Sequence, residues 1–259
     1  MIAKHNTTPA RKARLEMRAG RHTGTSRGVA LGFVQCNLVI IRQALAYEFL
    51  LYCQRNQKSC PVIEVTDVGS PVPKFSAPDA DLRTDLPKYA IFRDGVAQRQ
   101  VTDIVDLWED DFVSFLIGSG ISFDNALENA GVPTGRDRWV VRTTLPTISA
   151  GRFCGPLVAT MRWLTPEQAI VATQVSARFP FNHGAPIHIG DPTAIGADLD
   201  DPLYGPPVSQ IPDGKISVFW ACGVTPQAAA ENARIKLMIT HAPAHGFITD
   251  LTDTDLRLP

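Results

Sequence analysis

The sequence has no C-x-x-C pair, no G-x-G-x-x-G string, no phosphate loop ending in Gly-Lys-Ser/Thr, and no surplus of one charge. Each absence excludes a class of function. The five cysteines, Cys36, Cys53, Cys60, Cys154 and Cys222, are odd in number and scattered, so no disulfide framework or zinc ribbon is expected, and a reducing cytoplasm is the expected compartment. Without a glycine-rich cradle there is no signal for a nucleotide. Arg42 interrupts the longest apolar candidate, Leu38 to Cys53, so no membrane partner is expected. With 25 Lys+Arg against 26 Asp+Glu the net charge is -1, which removes the basic footprint a nucleic-acid binder needs. What remains is a chain of 259 residues, 44% hydrophobic and 20% charged, which fits one large or two modest globular domains.

The chain begins basic: Lys4, Arg11, Lys12, Arg14, Arg18, Arg21 and Arg27 stand against Glu16. This predicts a solvated arm or a first helix whose arginines face water or an anionic ligand. Gly20, Gly24, Gly28 and Gly32 then predict a loop. Phe33 to Ile40 predicts a strand, Gln43 to Gln54 a helix, and Val62 to Val65 a short strand. From Gly69 to Pro87 the polar, Pro-rich chain shows no element, and long structureless segments are more often functional than idle. Phe112, Phe115 and Leu116 have the spacing of an amphipathic helix. Ser122 is placed to cap a further helix, running to Ala130 and closed by Gly131. A polar stretch from Gly131 to Arg142 leads to a soft boundary, giving an N-terminal α/β part of residues 1–148 and a C-terminal α/β part of residues 149–259.

The second half holds an approximate repeat. Its first copy runs from the strand Leu157 to Met161, through Thr165-Pro166 opening a helix, to His183-Gly-Ala-Pro-Ile-His188. Its second runs from Val218 to Cys222, through Thr225-Pro226, to His241-Ala-Pro-Ala-His245. A Thr cap before Pro is apt, because the hydroxyl accepts an orphan backbone N–H and Pro has none to orphan. Each copy reads as a strand-helix-strand unit, which predicts an α/β fold with a mixed or largely parallel sheet. Residues 190–214, rich in Asp and Pro, are expected on the surface.

Several residues could carry chemistry. Pro186 and Pro243 break the helical geometry that would let the paired histidines share one ion, so no metal or other cofactor is expected. A divalent ion held by one histidine from each copy, with Asp191 or Asp250, is the alternative. Cys222 precedes Gly223 and the Thr225 helix start, where a helix dipole would lower a thiol pKa and the turn's N–H groups would form an oxyanion site; a buried structural cysteine is the other reading. Arg83, Arg142 and Arg178 lie beside loops or strand ends, placed either for a carboxylate ligand or for surface ion pairs.

The strings Gly32-Phe33-Val34-Gln35-Cys36-Asn37, Cys53-Gln54-Arg55-Asn56, Asp81-Leu82-Arg83-Thr84-Asp85-Leu86-Pro87, Trp108 with Asp110-Asp111, His183-Gly184-Ala185-Pro186, His188-Ile189-Gly190-Asp191-Pro192, Phe219 to Pro226, Thr240-His241-Ala242-Pro243 and Phe247 to Asp250 resemble the D-glutamate cyclase family, whose bacterial members are named hydro-lyases. The resemblance runs in order from about Arg18 to Asp250. Two departures are a segment around residues 135–139 shorter than usual and Ser119-Gly120 in place of Cys-Ser. The resemblance implies two intimately joined α/β parts and a hydro-lyase that closes D-glutamate to 5-oxo-D-proline. The alternatives are a hydro-lyase acting on another small carboxylic or hydroxy acid and a non-catalytic sensor of such an acid. It supplies no catalytic residues; roles come from residue chemistry alone. Arg83 or Arg142 would clamp the α-carboxylate, with Asp85, His183 and Thr225 as further substrate-binding candidates. His188 with Asp191 would move protons at the amine. His241, Arg178, Cys222 or the N–H groups near Gly223 would act at the side-chain carboxyl. The expected partner is a small carboxylic acid, and a homo-oligomer is compatible with the chain.

Overall fold

The computed structural model describes residues 8–135 and 138–259. Lys4 of the basic start, and Arg136 and Asp137 of the short segment, lie outside the described residues. Among those described there are five α-helices and eleven strands in two sheets, an α/β arrangement in which all named strand pairs are antiparallel.

The first sheet is built on β1 (Phe33–Arg42), a central strand buried along its middle. It runs β2 (Val62–Val65), β5 (Phe112–Gly118), β1, β10 (Met238–His241), β3 (Tyr89–Arg93), β4 (Val96–Val101), and β11 (Phe247–Thr252) also pairs with β1. Val39 and Ile41 face one core, with α2 (Gln43–Arg55) supplying Phe49, Tyr52 and Cys53 and α5 (Thr225–Asn232) supplying Ala229 and Ala230. Leu38 and Ile40 face the other, covered by Ala77, Ala80, Leu82 and Leu86. The Pro-rich stretch of residues 69–87 therefore acts as the sheet's lid, with Ala77, Ala80, Leu82 and Leu86 buried, Phe75 exposed, and Tyr89 Oη donating to the Leu82 carbonyl at 2.9 Å.

Phe112, Phe115 and Leu116 belong to this sheet and not to an amphipathic helix. The run Phe-Val-Ser-Phe-Leu-Ile-Gly is apolar on both alternating faces, and every residue is buried between β2 and β1. A short continuous apolar run fits a doubly covered strand as well as a helix, and only its neighbours decide.

The second sheet runs β6 (Trp139–Pro146), β7 (Pro156–Leu164), β9 (Ile216–Ala221), β8 (His188–Ile189). The polar stretch ending at Arg142 thus contains the start of a strand. Thr165 and Gln168 form a reciprocal capping box on α4 (Pro166–Ala177), as the Thr-Pro signal predicts. The second Thr-Pro differs: Thr225 does not cap α5, and its hydroxyl instead ties the helix start to β7 through the Val158 backbone. The repeat does not produce parallel neighbours either. Both β7 and β8 are antiparallel to β9, which lies between them, so the first unit's strands run the same way without touching. The second unit crosses from β9 to β10 in the other sheet. The strands on either side of residue 148 do not separate by sheet, because β6 joins the second and β10 and β11 return to the first.

The basic start forms the first helix and is docked in part: Arg14 is buried, while Lys12, Arg18 and Arg21 are exposed. On α1 (Pro9–Arg18) the Arg14 side chain is 1% exposed, bonds the Ile248 carbonyl at 2.9 Å, and holds Asp250 bidentately. Arg18 holds the buried Asp85 through two bonds of 2.7 Å. Ser119, not Ser122, caps the short 3-10 turn before α3 (Asp124–Asn129), while Ser122 bridges the Gln35 backbone. Gly131 has a left-handed φ of 79°, as expected past a helix end.

A close backbone approach joins the first sheet to a turn from the second half of the chain. Gly118 ends β5 against the turn of residues 180–182, and a Cβ there would lie 1.7 Å from the Phe181 carbonyl oxygen. Asn182 Nδ2 fixes the contact by donating to Ser119 O at 3.2 Å and Ser122 Oγ at 3.1 Å. Gly118→Ala should destabilise the protein by about 1–3 kcal/mol through overpacking, read as a lower urea midpoint at unchanged slope.

Candidate active site

A cavity of about 100 Å³ lies between the two sheets. Its walls come from elements far apart in sequence: Asn37 in the middle of β1, Ser119 and Gly120 after β5, Thr160 and Arg162 on β7, Trp220 to Val224 at the end of β9, and His183 and His241. Alternation explains β7. Ala159 and Met161 enter the core shared with Phe219, so Thr160 and Arg162 face the other way, into the cavity. The turn after β9 can come this close to β1 because residue 223 is glycine; a Cβ there would fall 1.8 Å from Asn37 Nδ2.

The dominant feature is charge. Arg162 is 4% exposed and donates through Nη2 to Asp124 Oδ1 at 2.6 Å. Arg138 bonds both oxygens of the same carboxylate at 2.8 Å, and Arg27 Nε lies 3.4 Å from Oδ2. Burial pushes the Asp124 carboxyl up, but Arg138, Arg162 and Arg27 outweigh it and hold it below its ordinary value. Burial together with the neighbouring Arg138 brings Arg162 down to about 10, which leaves it charged at neutral pH. One buried carboxylate thus faces three guanidiniums. Arg162 Nε and Nη1 and Arg138 Nε are buried without hydrogen-bond partners among the described residues. The Arg162 guanidinium sits 5.4 Å from the Trp220 ring centre and 5.9 Å from that of Phe123. Unpaired donors on a buried cation are costly, and a ligand carboxylate would satisfy them.

Two buried histidines complete the cavity. His183 has a left-handed φ of 76°, uncommon outside glycine, and its Nδ1 lies 3.1 Å from the Lys58 carbonyl oxygen. His241 ends β10, and its Nδ1 lies 3.2 Å from the Leu38 amide nitrogen. Burial pushes both down to about 4, so both are neutral at neutral pH. Cys222 also lines the cavity; burial pushes its thiol up despite hydrogen bonds from Thr160 and Val224, so the lowering expected from a helix start is outweighed.

Of the residues singled out from the sequence, His183, His241, Cys222 and Gly223 come together here. Thr225 is buried behind the wall in its backbone tie. The others stand elsewhere. His188 packs on Phe219, on the opposite face of the second sheet, with Nε2 2.8 Å from the Asp191 carbonyl oxygen. The exposed Asp191 carboxylate caps a turn through Thr193. Arg83 pairs with Asp81, Asp85 with Arg18, and Arg142 reaches Glu231 at 3.8 Å. Arg178 lies in a separate surface hollow beside Arg257, donating to the Leu258 carbonyl. Among the described residues no three His, Cys, Asp or Glu side chains are grouped to hold a metal, and Asp250 is engaged by Arg14.

Sequence reading missed Asn37, Asp124, Arg138 and Arg162. One signal was available: Arg162 follows Leu-Val-Ala-Thr-Met and precedes Trp-Leu, so it is a charge inside an apolar strand, which stays buried only with a partner.

Comparison with known proteins places these features. A model of the family described as D-glutamate cyclase matches residues 113–250, the segment holding Asp124, Arg138, Arg162 and both cavity histidines. A Bacillus licheniformis protein named "Putative hydro-lyase" is 52% identical, covering 93% of this chain and 94% of its own. The Bacillus subtilis "Putative hydro-lyase YcsI" is 50% identical, covering 93% and 96%. Among solved structures, a nitrogen repressor-like protein from Methanococcus jannaschii aligns over 87% of this chain and 90% of its own at 13% identity and a TM-score of 0.39, too slight a likeness to bear on fold or function.

Two stability measurements probe the site. Asp124→Asn leaves three guanidiniums uncompensated and should cost about 3–5 kcal/mol in urea unfolding. The histidines impose a pH dependence. Their folded-state pKa of about 4 lies below the ordinary value of 6.5, so the unfolded chain binds more protons between those limits. Stability should therefore fall as pH drops from about 6.5 to about 4, by about 3 kcal/mol for each histidine, and His183→Gln should flatten that slope.

Proposed function

Because this chain belongs to the D-glutamate cyclase family, we propose that it is a lyase that removes water from D-glutamate, closing it to 5-oxo-D-proline in the cavity between its two sheets. The observation that carries this reading is Arg162, a buried cation in the cavity wall with two nitrogens that have no hydrogen-bond partner among the described residues. A guanidinium grips a carboxylate bidentately through Nε with Nη2 or through Nη1 with Nη2; with Nη2 held by Asp124, Nε and Nη1 of Arg162 would each offer a ligand carboxylate a single charge-assisted bond. The α-carboxylate of an amino acid would seat there, with Arg138 Nε beside it.

Anchoring one end leaves the amine and the side-chain carboxyl free to meet. Nucleophile and electrophile belong to one molecule, so much of the entropic barrier is already removed and no activating nucleotide is needed. The chemistry still requires deprotonation of the ammonium and neutralisation of the carboxylate. Ile121, Phe123 and Trp220 border the cavity and keep its dielectric low, which strengthens each charge interaction inside. The anchor is thus Arg162 in place of Arg83 or Arg142, and His188 and Asp191, outside the cavity, have no part in proton transfer. The five unpaired cysteines suit a reducing compartment, and we place the reaction in the cytoplasm.

The test is proton NMR of purified protein incubated separately with D-glutamate and L-glutamate. Conversion of the D isomer to 5-oxoproline is expected; no conversion, with saturable binding of the acid, would favour a sensor and overturn the reading. Arg162→Lys keeps the charge opposite Asp124 and loses the further guanidinium N–H donors, and should lower kcat/KM for D-glutamate at least tenfold while the protein stays folded by circular dichroism.

A further inference from the structure

The two cavity histidines are buried, face one space, and are held by opposite kinds of backbone group. His183 Nδ1 lies 3.1 Å from a carbonyl oxygen, that of Lys58, which can only accept. Nδ1 must therefore carry the hydrogen and donate it. In a neutral ring this leaves Nε2 with a free lone pair, and the ring's Cδ2 edge lies on the Gly120 side, where a Cβ on that residue would be 3.8 Å from Cδ2. His241 is the reverse. The Leu38 N–H can only donate, and it reaches His241 Nδ1 at 3.2 Å. Nδ1 is the acceptor, so the hydrogen of a neutral ring sits on Nε2. The Leu38 carbonyl lies farther from the same nitrogen, at 3.5 Å.

The fold explains why that amide is available to a side chain. On one edge β1 pairs with β10 at Val39 and Ile40 and with β11 from Phe33 to Cys36. The chain leaves the ladder between β10 and β11, and the His241 ring takes the place of a backbone carbonyl at Leu38. On the other side, the left-handed turn at His183 is fixed by Asn182 and by the Gly118 contact.

We propose that His183 and His241 divide the proton chemistry of this cavity, His183 Nε2 as the base that carries protons and His241 Nε2–H as a fixed donor to the oxygen of the reacting carboxyl. The proposal rests on the cyclisation of D-glutamate, and the steps balance. His183 takes a proton from the substrate ammonium and passes it to the side-chain carboxylate, giving a free amine and a neutral carboxyl. The amine nitrogen attacks the carboxyl carbon; the C–N bond forms, and the carbonyl pair moves onto the oxygen held by His241. His183 then takes a second proton from the nitrogen and gives it to the hydroxyl. The C–O bond breaks, water leaves with that bonding pair, and the carbonyl re-forms. The lactam keeps one N–H, and both rings end as they began. A neutral imidazole donor suits the oxyanion, because it stabilises charge without releasing a proton that the nitrogen must later regain.

The first test needs no substrate. Protein labelled with 15N at histidine is recorded by long-range 1H–15N correlation at neutral pH, with peaks assigned through His183→Gln and His241→Gln. Opposed neutral rings are expected, His183 protonated at Nδ1 and His241 at Nε2; matching rings, or a cationic ring at either position, would overturn the proposal. The second test is kinetic. His183→Gln should lose 100-fold or more in turnover of D-glutamate while binding 5-oxo-D-proline by calorimetry within a few-fold of the native protein. Native turnover in that variant would also overturn it. If the native protein leaves D-glutamate unchanged, the cyclisation reading fails, while the ring assignment stands or falls on the spectrum alone.

Discussion

A single carboxylate, Asp124, ties together most of what surrounds the cavity. It stands at the start of α3, and its three arginines come from the loop before β1, from the entry to β6, and from the middle of β7. Buried charge of this kind costs several kcal/mol per ion unless paired in good geometry. Pairing here is good but unequal, and the inequality gives the cavity its character. Asp124 compensates part of the guanidinium charge and orients it, while Arg162 Nε and Nη1 and Arg138 Nε have no partner among the described residues. A second negative charge, brought by a ligand, would offset part of the positive charge that Asp124 leaves uncompensated.

The second constraint is the interruption of the ladder along β1. Had β10 and β11 formed one continuous strand, the Leu38 amide would have met a backbone carbonyl and His241 would have been an ordinary strand residue. Leaving the sheet for residues 242–246 puts Pro243 and Ala244 in the cavity wall and an imidazole against the open amide. The detached loop is secured from outside by Ser26, whose N–H and hydroxyl both donate to the Ala244 carbonyl. The His183 turn is held in a comparable way by close backbone approach and by the Asn182 amide. His183 therefore sits on left-handed backbone held by its neighbours, while His241 closes a paired strand at the edge of an irregular loop.

The remainder of the fold serves these two constraints. The docking of α1 through Arg14 and Asp250 fixes the end of β11 from the far side, and the lid of residues 69–87 closes the back of the first sheet. Thr225 binds the start of α5 to β7, which holds the turn of residues 222–224 between the sheets. Through these ties the first and second sheets behave as one support for a cavity that neither could form alone.

Much of the local structure is legible in the sequence. β1, α2, β2, α4 and the surface loop of residues 190–214 follow from hydrophobic period, Thr-Pro capping and turn composition, because those signals act within a few residues. The family is legible too, from long strings in order. Phe112 to Gly118 misleads because a short apolar run looks alike as a helix face and as a doubly buried strand, and its neighbours β1 and β2 are supplied only by the tertiary fold. Arg14 and Arg18 look like a solvated cluster until Asp250 and Asp85, more than sixty residues away, are brought to them. The His-Ala-Pro-x-His repeat draws attention to four histidines, yet the fold selects His183 and His241 and leaves His188 on the other face of its sheet. Sequence by itself determined the α/β class and the family, since these depend on composition and local order. Tertiary structure alone decided which charges meet, because a buried guanidinium is defined by partners that converge from distant parts of the chain.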